Sequence, residues 1–403
     1  MLRKWFGVGA LEPRKFVDLV VELGVEKGVW TNPNVDYDAM TVVEGKDVTN
    51  LRNIYAMFLR VPRRERLAYL ENAISIRRET ENAPQTWEDV RPLLRPVLRE
   101  GGYLLNTELG MRVRDPEMVT RLAYRDFAPG LFATLAIDFP HAMMLASQDH
   151  LTTWGVDFET ALDAAISNLR AASQDPFEPI RPGVWVAPWT DSYTAARLVL
   201  PEVLQRVCTD PLVCAPTRDF LFVADNTPGG FDALVELLLS EKVAEAPYSL
   251  TSRIYQLENK TLRRAEPPRD SQRIVDYERM CILQDQASYA EESQLRAALE
   301  PEAFYAQLMV FQLPDGSLRS RAVWPRGADP SYLPPAQAIF FTYPDAQYLP
   351  ERLWEVPWEI VERTPGMLAR TDAPLPRWKT GTFPSEAWLA EHATSHDAKQ
   401  LEN

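Results

Sequence analysis

The chain has 403 residues, with 43 Lys and Arg against 57 Asp and Glu, a formal charge of −14. Such a charge repels phosphate backbones, so nucleic acid is disfavoured as a partner. With 46% apolar and 25% charged residues the chain is globular rather than disordered, and its length suits two domains better than one core.

The first residues, Met1-Leu2-Arg3-Lys4-Trp5-Phe6, lack the apolar run and cleavage site of a signal peptide. The most apolar stretch, 128–146, is broken by Asp138, Pro140 and His141, so no membrane span is expected. Cys208, Cys214 and Cys281 are odd in number and fit no metal-ligand spacing. Reduced thiols in a cytoplasmic protein are the expectation, with no metal and no cofactor.

In chain order, Phe16, Leu19, Val20 and Leu23 predict a helix, as do Leu51, Ile54, Tyr55 and Phe58 at i, i+3, i+4, i+7. Short strands are expected at Val29–Trp30 and Thr41–Val43. Pro62 opens a helix carrying Leu67, Leu70 and Ile74, and 81–88 reads as a connection.

The middle alternates strands and helices. Leu131–Ile137, Val184–Ala187, Phe220–Ala224 and Arg253–Leu257 read as strands, the last one closing the sheet. Asp157 predicts a helix N-cap. Asp191 is expected to cap a helix bearing Ala196, Leu200 and Leu204, kinked by Pro201. Phe231–Leu239 reads as helix. The pattern is α+β, a mixed sheet packed with helices.

Residues 263–270, Arg-Arg-Ala-Glu-Pro-Pro-Arg-Asp, form the best linker, because adjacent prolines oppose both helix and strand. They separate a module at 1–265 from a smaller α+β module at 271–396. The latter should hold a helix over 271–299, a hairpin of Ala306–Leu313 with Ser317–Val323, a strand at Ala338–Tyr343, an irregular 375–381 and a short helix near Ala387–His392.

Five segments of the first module resemble the YtpQ-like family of uncharacterised bacterial proteins, a domain of unknown function. They are Asn50-Leu51-Arg52-Asn53-Ile54-Tyr55, Leu94-Arg95-Pro96-Val97-Leu98-Arg99, Ala165-Ile166-Ser167-Asn168-Leu169, Asp191-Ser192-Tyr193-Thr194-Ala195-Ala196-Arg197-Leu198 and Ala215-Pro216-Thr217-Arg218-Asp219-Phe220-Leu221. Ser192 stands where the family pattern has Gly, and the chain from 271 onward lies outside the resemblance. The resemblance implies no activity.

Few residues suggest chemistry. Asp138 and His141 at a strand end could form an oriented base, or simply pack there. Asp191, Arg218 and Asp219, with Asp225-Asn226, could bind a polar ligand or metal, or form turns and internal ion pairs. Thr227-Pro228-Gly229-Gly230 lacks the spacing and the Lys of a nucleotide loop, and reads as a turn and helix start. Trp185 and Trp189 flank Pro188, and Trp354, Trp358 and Trp378 lie near the C-terminus. Such aromatics belong to a protein-binding surface or to a core. The reading is a binding protein, adaptor, accessory or immunity-like, with another protein as partner. The alternative is a hydrolase or small-ligand-binding enzyme using Asp138 and His141. Convergence of Asp138, His141, Asp191 and Arg218 in one open pocket would favour the latter.

Overall fold

The computed structural model describes residues 11–45, 47–81, 84–117, 121–140, 142–314, 316–343 and 352–397. Helix α1 (Pro13–Glu26) begins on a proline, which needs no partner for its absent N–H. Its apolar stripe packs with α2 (Arg52–Arg60) and α3 (Arg66–Glu81) around Phe16, Phe58 and Leu70. A meander of β1 (Asn34–Asp36), β2 (Thr41–Glu44) and β3 (Asp47–Asn50) adds Val42 to this core. Val29–Trp30 is no strand. Trp30 folds back over α1, and a Cβ on Gly24 would lie 2.1 Å from its ring.

The next region opens with α4 (Trp87–Val90), β4 (Leu94–Glu100) and α5 (Gly101–Arg114). It continues through β5 (Tyr124–Ala128), β6 (Leu131–Asp138), β7 (Met143–Leu145), α6 (Gln148–Trp154) and α7 (Phe158–Ala171). Strands β4, β6 and β5 form an antiparallel sheet in that order, and β7 also pairs with β6. Asp157 caps α7 as expected, its Oδ1 accepting from the Thr160 N–H at 2.7 Å.

A six-stranded antiparallel sheet follows, ordered β13-β12-β10-β11-β9-β8. Its strands are β8 (Glu178–Arg181), β9 (Val184–Val186), β10 (Leu212–Thr217), β11 (Phe220–Ala224), β12 (Ile254–Glu258) and β13 (Thr261–Arg264), interleaved with α8 (Pro201–Leu204), α9 (Pro228–Leu238) and α10 (Glu241–Ala244). Strand side chains alternate faces. Val213, Ala215, Leu221 and Val223 join the core shared with β4, β6 and α7. Leu212, Cys214, Phe222 and Ala224 join a second core beneath α9. Covered on both faces, β10 and β11 read in sequence as continuous apolar runs.

Three expectations change here. Pro201 kinks no helix: Ala195–Val199 is a 3-10 turn, and Pro201 starts α8. β12 does not close the sheet, since β13 pairs along its outer side. Arg263 and Arg264 therefore belong to that edge strand rather than to a linker.

Helix α11 (Ile274–Leu299) leads into two smaller sheets. One is ordered β15-β16-β18-β19-β22, from β15 (Met309–Gln312), β16 (Leu318–Pro325), β18 (Ala338–Thr342), β19 (Arg352–Pro357) and β22 (Thr394–Asp397). The other is β14-β17-β21-β20, from β14 (Phe304–Tyr305), β17 (Ser331–Leu333), β21 (Trp378–Thr380) and β20 (Leu368–Arg370). Both mix parallel and antiparallel pairs. Helices α12 (Trp358–Arg363) and α13 (Glu386–His392) cover a core of Trp324, Ile339, Phe341 and Val361. The stretch expected to be irregular at 375–381 contains β21. The class is α+β, as its alternating patterns predict.

The boundary expected near 271 is crossed by side chains. Tyr277 and Cys281 of α11 enter the core under α9. Asn106 of α5 donates to the Ser288 carbonyl at 3.3 Å and to Glu291 at 3.0 Å. Among the described residues no helix is long and apolar enough to cross a membrane.

Candidate functional site

The residues picked from sequence separate into two groups, one on each side of Tyr193. This tyrosine is 5% exposed. Its hydroxyl donates to Asp138 Oδ1 at 2.7 Å, and Arg95 Nε lies 3.8 Å from the other carboxylate oxygen. Burial, then Asp138, push the phenol well above its usual range. Arg218 lies at the β10–β11 turn, close enough to Tyr193 for its charge to be felt there. Its Cζ sits 3.5 Å from the Tyr248 ring centroid, and its Nε is 3.5 Å from Asp219.

Asp191 serves the backbone on the other side. It accepts from the Tyr193 N–H at 3.0 Å and grips the fully buried Arg197 with both oxygens, at 3.0 and 2.7 Å. Burial raises its pKa, but the Arg197 hydrogen bonds and charge outweigh this and hold it below the usual value. Asp191 therefore caps no α-helix; it makes a tight turn and neutralises Arg197. Ser192 has φ +65°, in the left-handed region where glycine costs least.

Trp189 is core: 8% exposed, edge-on to Phe177, with the Arg197 guanidinium 4.1 Å from its ring centroid. Trp185 of β9 is half-buried against the same core. His141 lies outside the described residues. Asp138 and Arg218 thus approach one tyrosine, while Asp191 and Trp189 hold the fold together.

The glycine-rich turn borders a cavity of about 480 Å³ lined by Arg181, Gly183, Asp225, Thr227, Asp232 and Glu236. Thr227 Oγ1 caps α9 through the Gly230 N–H at 3.0 Å. A Cβ on Gly230 would lie 2.0 Å from the Asp225 carbonyl oxygen, so glycine serves a close approach. Three carboxylates, with Arg181 held by Glu236 at 2.8 Å, are the wrong charge for phosphate.

The larger cleft was not foreseen. It encloses about 960 Å³ where α5, β5 and β12–β13 face α11 and segment 370–376. Glu100, the last residue of β4, stands in its wall at the start of α5. Gly101 and Gly102 follow because the opposing chain comes very near. A Cβ at 101 would sit 2.0 Å from the Pro374 carbonyl oxygen, and one at 102 would sit 2.9 Å from Ser288.

Gln284 of α11 donates to Glu100 at 2.9 Å and to the Leu250 carbonyl at 3.2 Å, while the Ser252 N–H donates back to Gln284 at 2.7 Å. Arg253 pairs with Asp285 at 2.5 Å. Burial lifts the Glu100 carboxyl from 4.5 to about 7; the Thr251 hydroxyl and Arg253 only partly oppose this, and Asp285 adds to it. A carboxyl poised near neutrality in a cleft can take up or release a proton under ordinary conditions. Arg264 and Arg370 reach the rim, and the buried Tyr255 backs the wall.

Sequence reading reached Leu94–Arg99 and stopped one residue short of Glu100. The available signal was the Gly101-Gly102 doublet at a strand–helix junction, a mark of close backbone approach. Comparison with family models, with curated proteins and with solved structures returned no match. The likeness to YtpQ-like proteins therefore rests on the segments quoted above.

Proposed function

We propose that this is a binding protein for a small polar molecule, held in the cleft at Glu100, and that Glu100 exchanges a proton with it. The observation that carries the reading is the placement of Glu100 in the wall of the largest cleft described, held by Gln284 at 2.9 Å and facing Arg253, Arg264 and Arg370, where burial pushes its carboxyl up to about 7. Arg253, fixed by Asp285, supplies a positive charge of set position. Arg264 and Arg370 at the rim suit the polar end of a ligand. The role is acid–base whether the ligand is merely bound or also transformed. A protein partner has less support, because Trp189 and Trp358 are buried rather than displayed. Three unpaired cysteines, two of them buried, suit a reducing compartment such as the cytoplasm.

The test has two parts. Carbon-detected NMR of glutamate carboxyls should show one group titrating near pH 7 that vanishes in Glu100→Gln. A thermal-shift screen of small polar metabolites should give hits whose effect changes between pH 6 and 8 in the parent and not in the variant. Titration of Glu100 near 4.5, with every hit indifferent to the substitution, would end the reading.

A further inference from the structure

The Glu100 cleft has two walls of different construction. On one, the Gly101 N–H donates to the Gly130 carbonyl at 3.3 Å, which sets the end of β4 against the β5–β6 turn. The Arg264 guanidinium lies over that turn, its Nη2 3.3 Å from where a Cβ on Gly130 would be. Glu100 and Arg264 therefore flank the same turn, and the Tyr255 hydroxyl fixes it by donating to the Pro129 carbonyl at 3.1 Å. The facing wall is segment 371–376, closed at its base. The Thr371 N–H donates to the Arg377 carbonyl at 2.7 Å, and the Arg377 N–H donates to Thr371 Oγ1 at 2.9 Å. The Tyr289 hydroxyl ties down the Pro376 carbonyl at 2.8 Å. Arg370 enters this loop with its Cζ 5.9 Å from the Trp378 ring centroid.

The charges that line the cleft are unevenly served. Arg253 has Asp285 at 2.5 Å, and Arg125 has Glu159 at 2.9 Å. Among the described residues neither Arg264 nor Arg370 is ion-paired, on a chain with 57 acidic against 43 basic side chains. Two guanidinia without carboxylates in one cavity of an acidic protein are spare donors for an anion. Helix α5 begins in the same cleft with no side chain capping it, so the positive end of its dipole adds to their field. Asp126 and Asp372 line the cleft as well and repel a doubly charged group more than a singly charged one. Phe132, edge-on to Tyr124 at 5.6 Å, and Pro374 and Leu375 give an apolar surface for a ligand's body.

We propose that the ligand of this cleft is an organic monocarboxylate, its carboxylate held by Arg264 and by the proton of Glu100, with Arg370 attracting it from the opposite wall. The assignment rests on the reading of the cleft as a binding site and adds the sign of the ligand's charge. A protonated Glu100 donates one hydrogen bond and a guanidinium fork supplies the rest, which suits the two oxygens of a carboxylate. An anion beside Glu100 favours its protonated form, so binding draws a proton from solvent onto Glu100. Burial first pushes that carboxyl up to about 7, with Thr251, Arg253 and Arg264 opposing and Asp285 adding, so the uptake falls around neutral pH. Tyr255, whose phenol burial pushes up, and the Gln284 amide face Glu100 without changing charge there.

The test is calorimetric titration and thermal unfolding of the full chain with benzoate, benzamide, benzamidine and phenyl phosphate, probes similar in shape and different in charge. Benzoate should bind and raise Tm, phenyl phosphate should bind more weakly, and benzamide and benzamidine should not bind. Benzoate affinity should fall about tenfold between pH 6 and 8, because only the protonated fraction of Glu100 is competent. Glu100→Gln keeps a donor that does not titrate and should bind benzoate equally at both pH values. Arg264→Gln should weaken benzoate roughly tenfold, as expected for a lost charged hydrogen bond, and Arg264→Lys, which keeps the charge without the fork, should recover part of it. Arg370→Gln should weaken it roughly threefold, the size of an exposed charge contact. Circular dichroism of each variant checks folding. Phenyl phosphate binding more tightly than benzoate would overturn the choice of a carboxylate. Benzamide or benzamidine binding in place of benzoate, and lost in Glu100→Gln, would overturn it too and leave the cleft standing as a site. No benzoate binding, or equal binding by the parent and Arg264→Gln, would overturn the proposal; carboxyl NMR of Glu100 then decides separately whether the reading of the cleft survives.

Discussion

On one face of α11, Asp285, Ser288 and Tyr289 line the cleft and Gln284 holds Glu100, while Tyr289, Glu292 and Ser293 hold Arg377. The two clusters bury charge in different ways. Arg377 is 2% exposed and Glu292 1%. The guanidinium donates to Glu292, to the Ser293 hydroxyl and to the Ala306, Tyr332 and Tyr289 carbonyls, so its donors are spoken for. Glu100 has the Gln284 amide and the Thr251 hydroxyl, and then open cleft. A buried charge with a complete set of partners fixes the arrangement of elements; one with an incomplete set keeps its freedom to titrate.

Breaking the complete cluster should have the largest effect. Arg377→Met leaves the buried Glu292 with Arg296 as its remaining ion-pair partner, at 3.1 Å, and should cost about 3 kcal/mol by chemical denaturation. Replacing both partners, Arg377→Met with Glu292→Leu, should cost less, because Arg296 keeps Glu300 at 3.0 Å and no buried charge is orphaned. A single variant as stable as the parent would show that Arg377 is not the lock described.

The incomplete cluster should respond with the opposite sign. The folded-state pKa of Glu100 is raised, so the protonated form is favoured on folding. Its contribution to stability is present below pH 4.5 and is lost as pH rises through about 7. Glu100→Gln should therefore stabilise the protein at pH 8 by about 3 kcal/mol, from 1.36 kcal/mol per pKa unit, and should do nothing at pH 4. Urea unfolding of parent and variant at the two pH values checks this. Equal stability at pH 8 would mean that the carboxyl is solvated.

Much of the fold was legible because it is local. The stripe on α1, the apolar runs of β6 and β11, and the Asp157 cap each depend on a few adjacent residues. The Glu100 cleft is assembled from positions 100, 253, 285 and 370, whose proximity no local pattern records. The same holds for Arg377, whose partners lie from 45 to 88 positions away in sequence. Pro-Pro at 267–268 correctly marks a break in regular structure. It could not reveal that α11 beyond it would pack on α5 and the six-stranded sheet. Asp138 and Arg218 stand out in sequence by residue type alone; segment 193–195 links them, Tyr193 donating to Asp138 at 2.7 Å and the Ala195 N–H donating to the Arg218 carbonyl at 3.0 Å.

Asp191 lies between the two extremes, because Arg197 is fully buried while the Asp191 side chain is 40% exposed. Asp191→Ala should cost about 2 kcal/mol, as it removes the turn acceptor and orphans Arg197. Asp191→Asn should recover only the turn, through the Tyr193 N–H, and remain well short of the parent. The folded pKa of Asp191 is lowered, so its contribution is present above its unfolded value near 3.8 and is lost as pH falls through the folded value. Both variants should therefore blunt acid unfolding. Full recovery by Asn would show that the ion pair contributes nothing.

The smallest effect tests the same logic with a group that must stay uncharged. His150 occupies the third position of α6, where it completes a capping box. Ser147 Oγ accepts from the His150 N–H at 3.4 Å, and the Ser147 N–H donates to His150 Nδ1 at 3.0 Å. A ring nitrogen that accepts an N–H carries no proton, so the box needs neutral histidine. Burial, as the ring stacks on Trp154 at 5.6 Å, lowers its pKa in the folded state. A lowered base binds its proton less readily in the folded protein than in the unfolded one. Its contribution is therefore present above pH 6.5 and is lost as pH falls below it. Glutamine at this position restores the usual Ser-x-x-Gln box with an acceptor that does not titrate. His150→Gln should match the parent at pH 8 within about 0.5 kcal/mol, the size of an exposed capping interaction. At pH 5.5 it should be the more stable of the two. Parallel urea curves at both pH values measure the difference directly. Identical pH dependence in parent and variant would show that the His150 ring takes up its proton as readily in the folded protein as in the unfolded one, and that the cap does not require the neutral form.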